Sequence, residues 1–282
     1  MPGSAFERPT DAAQEAAATA TDAPVLVFDQ MSFSYSKLPF IVELSCSMAA
    51  SRITGIVGPN GCGKSTLLKL ASGLLAPQDG TIGVRGRKLS SLNHAERARQ
   101  VALMPQNVPD VYMSVRELVL SGRYSHQGLL QIPDAEDYRM ADEALSAVGI
   151  DALALRSVHE LSGGQRQRAY VAMMLAQEAP LMLLDEPTSA LDIHAAHDVL
   201  QLIRSLRETR DATIVLVMHD LDLALRYCDT LMVMDAGSIV AQGTAEEMAS
   251  SGVLERVFHI DIHHHRTPAG DSWSFFPARK PL

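Results

Sequence analysis

Three stretches of the chain are apolar with hardly a break: 52–57, 181–184 and 213–218. Runs of this length without alternation predict strands buried on both faces, as in a parallel sheet covered by helices. Shorter β-like stretches are predicted at 25–28, 33–35, 41–48, 81–84 and 101–104. The segments 230–234 and 238–241 flank Asp235-Ala236-Gly237 and predict a hairpin. Helical spacing predicts a helix over 64–71 with Gly73 just past its end. Further helices are predicted from Asp134 to Gly149, from Ser162 to about 179 and from Asp192 to about 209. Asn93, Ser114 and Ser162 each stand three residues before Glu or Gln, the spacing of a capping box. Between 114 and 155 the pattern is helical throughout, which predicts a helical subdomain of about 107–180 inserted in an α/β body. Residues 1–23, rich in Ala, Thr, Asp and Pro, are expected to form a disordered tail ahead of a main domain at 24–258 and an extension at 259–282.

Composition narrows the classes. The chain of 282 residues is 47% apolar, enough for a large core. No apolar run approaches the roughly 18 residues of a membrane helix, so a membrane role must come through a partner. No basic start leads into an apolar stretch, so no signal peptide is expected. Cys46, Cys62 and Cys228 lack metal-ligand spacing and fit a reducing cytoplasm. The net charge is −9 and no Lys/Arg stripe stands out, which argues against general nucleic-acid binding.

Gly58-Pro59-Asn60-Gly61-Cys62-Gly63-Lys64-Ser65 fits G-x-x-x-x-G-K-[ST] between an apolar strand and a helix. Glycines let such a loop curl its N–H groups toward a phosphate, and the helix N-terminus adds positive potential. Lys64 would reach the β- and γ-phosphates and the Ser65 hydroxyl would ligate Mg²⁺. Asp185 ends an apolar strand, where a carboxylate can hold Mg²⁺, and Glu186 beside it can polarise an attacking water. Cys62 reads simply as a small residue in the loop. The adjacent cation and helix N-terminus predict a lowered thiol pKa, hence maleimide labelling that MgATP blocks. His263-His264-His265 alternate in direction if extended, a poor chelate, and read as solvated surface residues.

Leu161-Ser162-Gly163-Gly164-Gln165 lies between the phosphate loop and the acidic strand end. This order of motifs resembles the ATP-binding-cassette (ABC) family, over about 25–258. The resemblance implies a P-loop NTPase core with a mixed sheet, an antiparallel β subdomain and an inserted α-helical subdomain. It implies ATP and Mg²⁺ as ligands, and a homodimer closing around two ATP molecules. Gln106 would contact Mg²⁺ and the attacking water, and would begin the segment that senses the membrane partner. His219 would contact the γ-phosphate and position water and Glu186. Ser162, Gly163 and Gly164, with Gln165, would cap the γ-phosphate bound to the second subunit. Asp192 would lie at that interface, or simply cap its helix. Thr66 joins the nucleotide-binding set. Tyr35 is the favoured aromatic to stack on adenine, with Phe33 competing.

Within the family, Gly122-Arg123-Tyr124, Gln165-Arg166-Gln167-Arg168, His219-Asp220-Leu221 and Arg226-Tyr227-Cys228-Asp229 look like importers of iron–siderophores, a group that also takes haem and vitamin B12. That implies a peripheral subunit at the cytoplasmic face of the inner membrane. Its partners would be two permease subunits and, indirectly, a substrate-binding protein. Ala196-His197, Ser125-His126 and the long N-terminal tail depart from the pattern. Other readings are a haem or cobalamin importer ATPase, or a soluble cassette ATPase acting in assembly or regulation. A chromosome- or repair-type ATPase would need coiled-coil arms that do not fit between Ser65 and Leu161.

Overall fold

A computed structural model of the protein describes residues 24–36, 38–127, 132–189, 191–267 and 270–278. The expected tail at 1–23 lies outside the described residues. A six-stranded sheet is built from β3 (Ile53–Val57), β6 (Val101–Met104), β7 (Leu181–Asp185), β8 (Thr213–Val217), β9 (Thr230–Asp235) and β10 (Ser238–Thr244), in the order β10-β9-β3-β8-β7-β6. Its strands pair in parallel except β10, which returns antiparallel on β9. A four-stranded antiparallel sheet has the order β2-β1-β4-β5, from β1 (Pro24–Phe33), β2 (Ile41–Ala49), β4 (Asp79–Val84) and β5 (Arg87–Lys88).

The apolar runs have the cause inferred for them. Along β7, Leu181 and Leu183 join one buried cluster while Met182 and Leu184 join another. Along β8, Val215 and Val217 divide from Ile214 and Leu216 in the same way. A strand with apolar layers on both faces has no polar face to show, hence no alternation. One layer contains α1 (Lys64–Ala71) and the four-stranded sheet. The other contains α3 (Val115–Ser121), α4 (Ala135–Ala147) and α5 (Gly163–Ala176). α2 (His94–Ala98) precedes β6, and α3, α4 and α5 lie in the chain between β6 and β7, which are neighbours in the sheet. α6 (Ile193–Arg210) connects β7 to β8, and α7 (Leu221–Tyr227) connects β8 to β9.

The capping boxes at Asn93, Ser114 and Ser162 form, with others at Asp134 and Thr244. Two expectations need correction. The stretches 25–28 and 33–35 are not two strands: β1 is continuous, absorbing register shifts around Gln30 (φ 45°), and Tyr35 lies beyond its end. α5 stops at Ala176, short of 179, because Glu178 turns left-handed (φ 53°) ahead of Pro180. Residues after 244 carry regular structure that periodicity did not reveal. α8 (Ala245–Ser250) and α9 (Val253–Phe258) are followed by a hairpin, β11 (Ile260–Thr267) with β12 (Gly270–Pro277).

Candidate nucleotide site

Parallel strands bring their C-terminal ends to one edge, and four strands each release a candidate residue there. β3 runs into the loop 58–63, β6 ends two residues before Gln106, β7 ends at Asp185, and β8 ends two residues before His219. Gly58 must be glycine, since a Cβ there would stand 2.0 Å from the Met234 carbonyl oxygen of β9. Gly63 takes φ 114°, a conformation side chains disfavour, and opens α1 with no side-chain cap. By contrast α5, α6 and α7 are capped by Ser162, Asp192 and Asp220. The first-turn N–H groups of α1 lack intrahelical acceptors, and they face a cavity of about 160 Å³. Phe40, Asn60, Gly61, Lys64, Ser65, Thr66, Glu186 and His219 are among its walls.

Lys64 is buried, and its ammonium donates to the carbonyls of Gly58 (2.7 Å) and Pro59 (3.0 Å). The Ser65 hydroxyl donates to Asp185 Oδ1 at 3.0 Å. Burial pushes the Asp185 carboxyl above its ordinary range, against the opposing effect of the Ser65 bond. A buried carboxylate paired with a hydroxyl is an oxygen donor set that suits a hard divalent cation.

Glu186 is the centre of the arrangement. Its backbone is left-handed (φ 52°), and its N–H donates to the Val217 carbonyl at 3.1 Å. Strain in a residue of this kind, held by the neighbouring strand, is the sort that clusters at functional sites. Its side chain is only 9% exposed. Oε2 accepts from Gln106 Nε2 at 2.7 Å, and Oε1 is hydrogen-bonded to His219 Nε2. One carboxylate is thus fixed at both oxygens, beside the loop that carries Lys64.

The remaining candidates fall elsewhere. Ser162, Gly164, Gln165 and Asp192 line a different cavity, of about 390 Å³, with Arg168 and His194. Gly163 opens α5. Ser162 Oγ accepts from Gln165 N (3.3 Å), and Asp192 accepts from Ala195 N (2.9 Å), so Asp192 is a helix cap. Tyr35 is exposed, with its hydroxyl 3.1 Å from Thr66 Oγ1 and its ring edge-on to Phe33. Phe33 is core. Phe40, which sequence reasoning missed, lies against the loop and 5.9 Å from the Tyr35 ring. Its signal was an aromatic directly ahead of a strand.

Cys62 corrects an expectation. Its thiol is buried in the core beneath the loop, and burial raises its pKa, outweighing Lys64. The departures from the siderophore pattern have structural partners: His197 Nδ1 meets the Tyr227 hydroxyl (2.8 Å) and His126 Nε2 meets the Gln177 carbonyl (2.9 Å). His263, His264 and His265 lie on β11. His264 is stacked on Trp273 and His265 is bonded to Ser274. Among the described residues, no group of three or more His, Cys, Asp or Glu is placed to hold a metal ion.

The sequence profile described as ABC transporter matches residues 41–189. The chain belongs to the ABC transporter family. It is 41% identical over 233 residues to the ferric enterobactin transport ATP-binding protein FepC of Escherichia coli, covering 82% of this chain and 86% of that one. It is 41% identical over 241 residues to the petrobactin import ATP-binding protein FpuD of Bacillus anthracis, covering 85% and 88%. A solved inward-facing transporter assigned to the metal-chelate type superposes with a TM-score of 0.79 at 28% identity, covering 91% of this chain and 98% of that one. The ADP conformation of an ATP-binding cassette from another ABC transporter gives 0.75 at 26% identity, covering 84% and 97%. The P-loop NTPase core, antiparallel sheet and helical layer are those of an ABC ATPase.

Proposed function

We propose that this chain is the ATP-hydrolysing subunit of an importer for iron–siderophore chelates, and that it works as a homodimer on the cytoplasmic face of the membrane. The observation that carries the enzymatic reading is the Glu186 carboxylate, fixed between Gln106 and His219 beside the Lys64 loop. The loop N–H groups and Lys64 bind the β- and γ-phosphates, and Tyr35, flanked by Phe40, stacks on the base. Ser65 and Asp185, with Gln106, would hold Mg²⁺, which supplies charge neutralisation on the phosphates. Glu186 orients a water on the γ-phosphorus and takes its proton. The bond to the β-phosphate oxygen breaks, and ADP and phosphate leave. His219 holds Glu186 in place and contacts the γ-phosphate. Catalysis of this kind is mostly positioning and charge stabilisation, which a carboxylate held at both oxygens serves.

That the signature lines a different cavity from the phosphate loop supports a shared site. Ser162, Gly163 and Gly164 present a helix N-terminus to the outside, apart from the monomer's own phosphate loop. A second copy facing it brings that terminus over the γ-phosphate, with Asp192 at the junction. Among the described residues no helix is long and apolar enough to cross a membrane. Permease subunits supply the path, and a binding protein selects the chelate. The substrate class rests on relatives named for ferric enterobactin and petrobactin. A relative named for cobalamin import is 36% identical. Deletion of the gene should abolish uptake of a labelled ferric siderophore, with restoration by a wild-type copy. Loss of cobalamin uptake alone would transfer the reading to that substrate. Normal uptake of both would end it.

A further inference from the structure

We propose that Asp110 and His159 form a clasp that positions Ser162 from the segment following Gln106. Asp110 Oδ2 and His159 Nδ1 are 2.7 Å apart. Arg166, on the first turns of α5, stands 3.9 Å from the other Asp110 oxygen. The Tyr112 ring is stacked on His159, with centroids 4.8 Å apart and planes at 28°, although Tyr112 itself is 85% exposed. The buried Tyr170 of α5 donates its hydroxyl to the Pro109 carbonyl at 2.7 Å. The backbone continues the seam. Val158 N donates to the Met113 carbonyl and Val115 N to the Arg156 carbonyl, both at 2.9 Å, around an antiparallel bridge between Ser114 and Ser157.

The placement of the ends gives this seam its meaning. One side of it begins four residues after Gln106, whose amide holds Glu186. The other stops three residues before Ser162, whose hydroxyl caps α5. An exposed aromatic normally lies free; Tyr112 instead stacks on His159, which fixes the imidazole plane beside Asp110 while the pair itself stays about half exposed. The backbone bonds reach only 113–116, beyond Asp110. Within 107–112, the links to the signature side are the side chain of Asp110, the Tyr112 ring and the carbonyl of Pro109, beside the apolar packing of Val108 and Val111 on the core. A displacement of this segment is handed to Ser162 through them. Asp110 and His159 are positioning residues, acting on phosphate only through Ser162, and the inference rests on the shared-site reading above.

The test uses the full chain in a Glu186→Gln background, with ATP-induced dimerisation followed by light scattering. Asp110→Ala, His159→Ala and the double variant are compared, together with Asp110→Asn, which keeps an acceptor for His159. Each single variant should weaken ATP-dependent dimerisation by about threefold to tenfold. The double should be no weaker than the worse single, and Asp110→Asn should recover part of the loss. Binding of a fluorescent ATP analogue to dilute monomer should not change. Dimerisation within twofold of the parent in both singles, losses that multiply in the double, or losses that merely follow Tm would overturn the clasp. Failure of the Glu186→Gln parent itself to dimerise with ATP would instead overturn the shared site, and the clasp with it.

Discussion

Glu186→Gln should remove hydrolysis while leaving the fold and nucleotide binding in place. The carboxylate accepts from Gln106 Nε2 (2.7 Å) at one oxygen and is bonded to His219 Nε2 at the other. Glutamine has the same shape and keeps one acceptor. If that oxygen stays on Gln106, the new NH₂ faces His219, whose Nε2 accepts in one tautomer of the neutral ring. Both contacts become neutral bonds in place of charge-assisted ones and one of them reverses direction, a cost of about 1 kcal/mol. What is lost is the proton acceptor. A positioned general base is worth about 10²–10⁴ in rate, or roughly 2.7–5.4 kcal/mol of barrier. The chemical loss therefore exceeds the structural one several-fold. Phosphate release at saturating ATP should fall by at least about a hundredfold. Tm and the affinity for ATP should stay close to those of the parent, since Lys64 and its two carbonyl contacts are untouched. Hydrolysis within threefold of the parent would refute the assignment of Glu186 as the base.

Other outcomes follow from the same geometry. Arg123 is buried and donates to Asp137, to the Ala176 carbonyl and to Glu178. Arg123→Met leaves Asp137 as a buried unpaired charge and should cost about 3–5 kcal/mol, read as a Tm drop by calorimetry that Arg123→Met/Asp137→Leu largely reverses. An unchanged Tm in the single variant would contradict the buried pair. Asp185 has a raised pKa, so its charged form is disfavoured in the fold at neutral pH. Asp185→Asn should therefore raise Tm without nucleotide at pH 7, less so as pH falls toward the ordinary carboxylate range, and should abolish the further rise given by MgATP. A drop in Tm at pH 7 would contradict the sign. The thiols of Cys46, Cys62 and Cys228 are all raised by burial, Cys46 to about 12. Native protein should react slowly with a maleimide at pH 7, and denatured protein at three sites. Rapid labelling of Cys62 that MgATP blocks would restore the reactive-loop expectation.

The strands and the loop were legible because both obey local rules. Continuous apolar runs report burial on two faces, and the phosphate loop fixes its own glycines: Gly58 by the approach of β9, Gly63 by its φ. The caps at Asn93, Ser114 and Ser162 need only a side chain and a backbone N–H three residues apart. What failed depends on tertiary surroundings. The thiol of Cys62 follows the core under the loop rather than the charge beside it. The continuity of β1 depends on pairing with β2 and β4, which bridges the irregularity at Gln30. Phe40 approaches the phosphate loop through β2, which leaves no trace in local spacing. The two-sided grip on Glu186 joins residues 80 and 33 positions away; the resemblance implied that His219 positions Glu186, but nothing in it put Gln106 on the same carboxylate. The hairpin after 260 was hidden by its sequence, because three histidines and two serines obscure an alternation whose inner face is Ile260, Ile262, Trp273 and Phe275.

The central claim is that each ATP site is completed by a second copy of the chain, and mixing two inactive variants tests it most directly. Lys64→Ala disables the phosphate loop, and Ser162→Arg disables the signature, which lines a separate cavity. If the signature acts across the dimer, a mixed dimer has one site with both defects and one with neither. Phosphate release from the mixture should then rise well above that of either variant alone, while a protein carrying both substitutions stays inactive when mixed with itself. A mixture no more active than its components, in conditions where light scattering shows mixed dimers, would contradict the shared site.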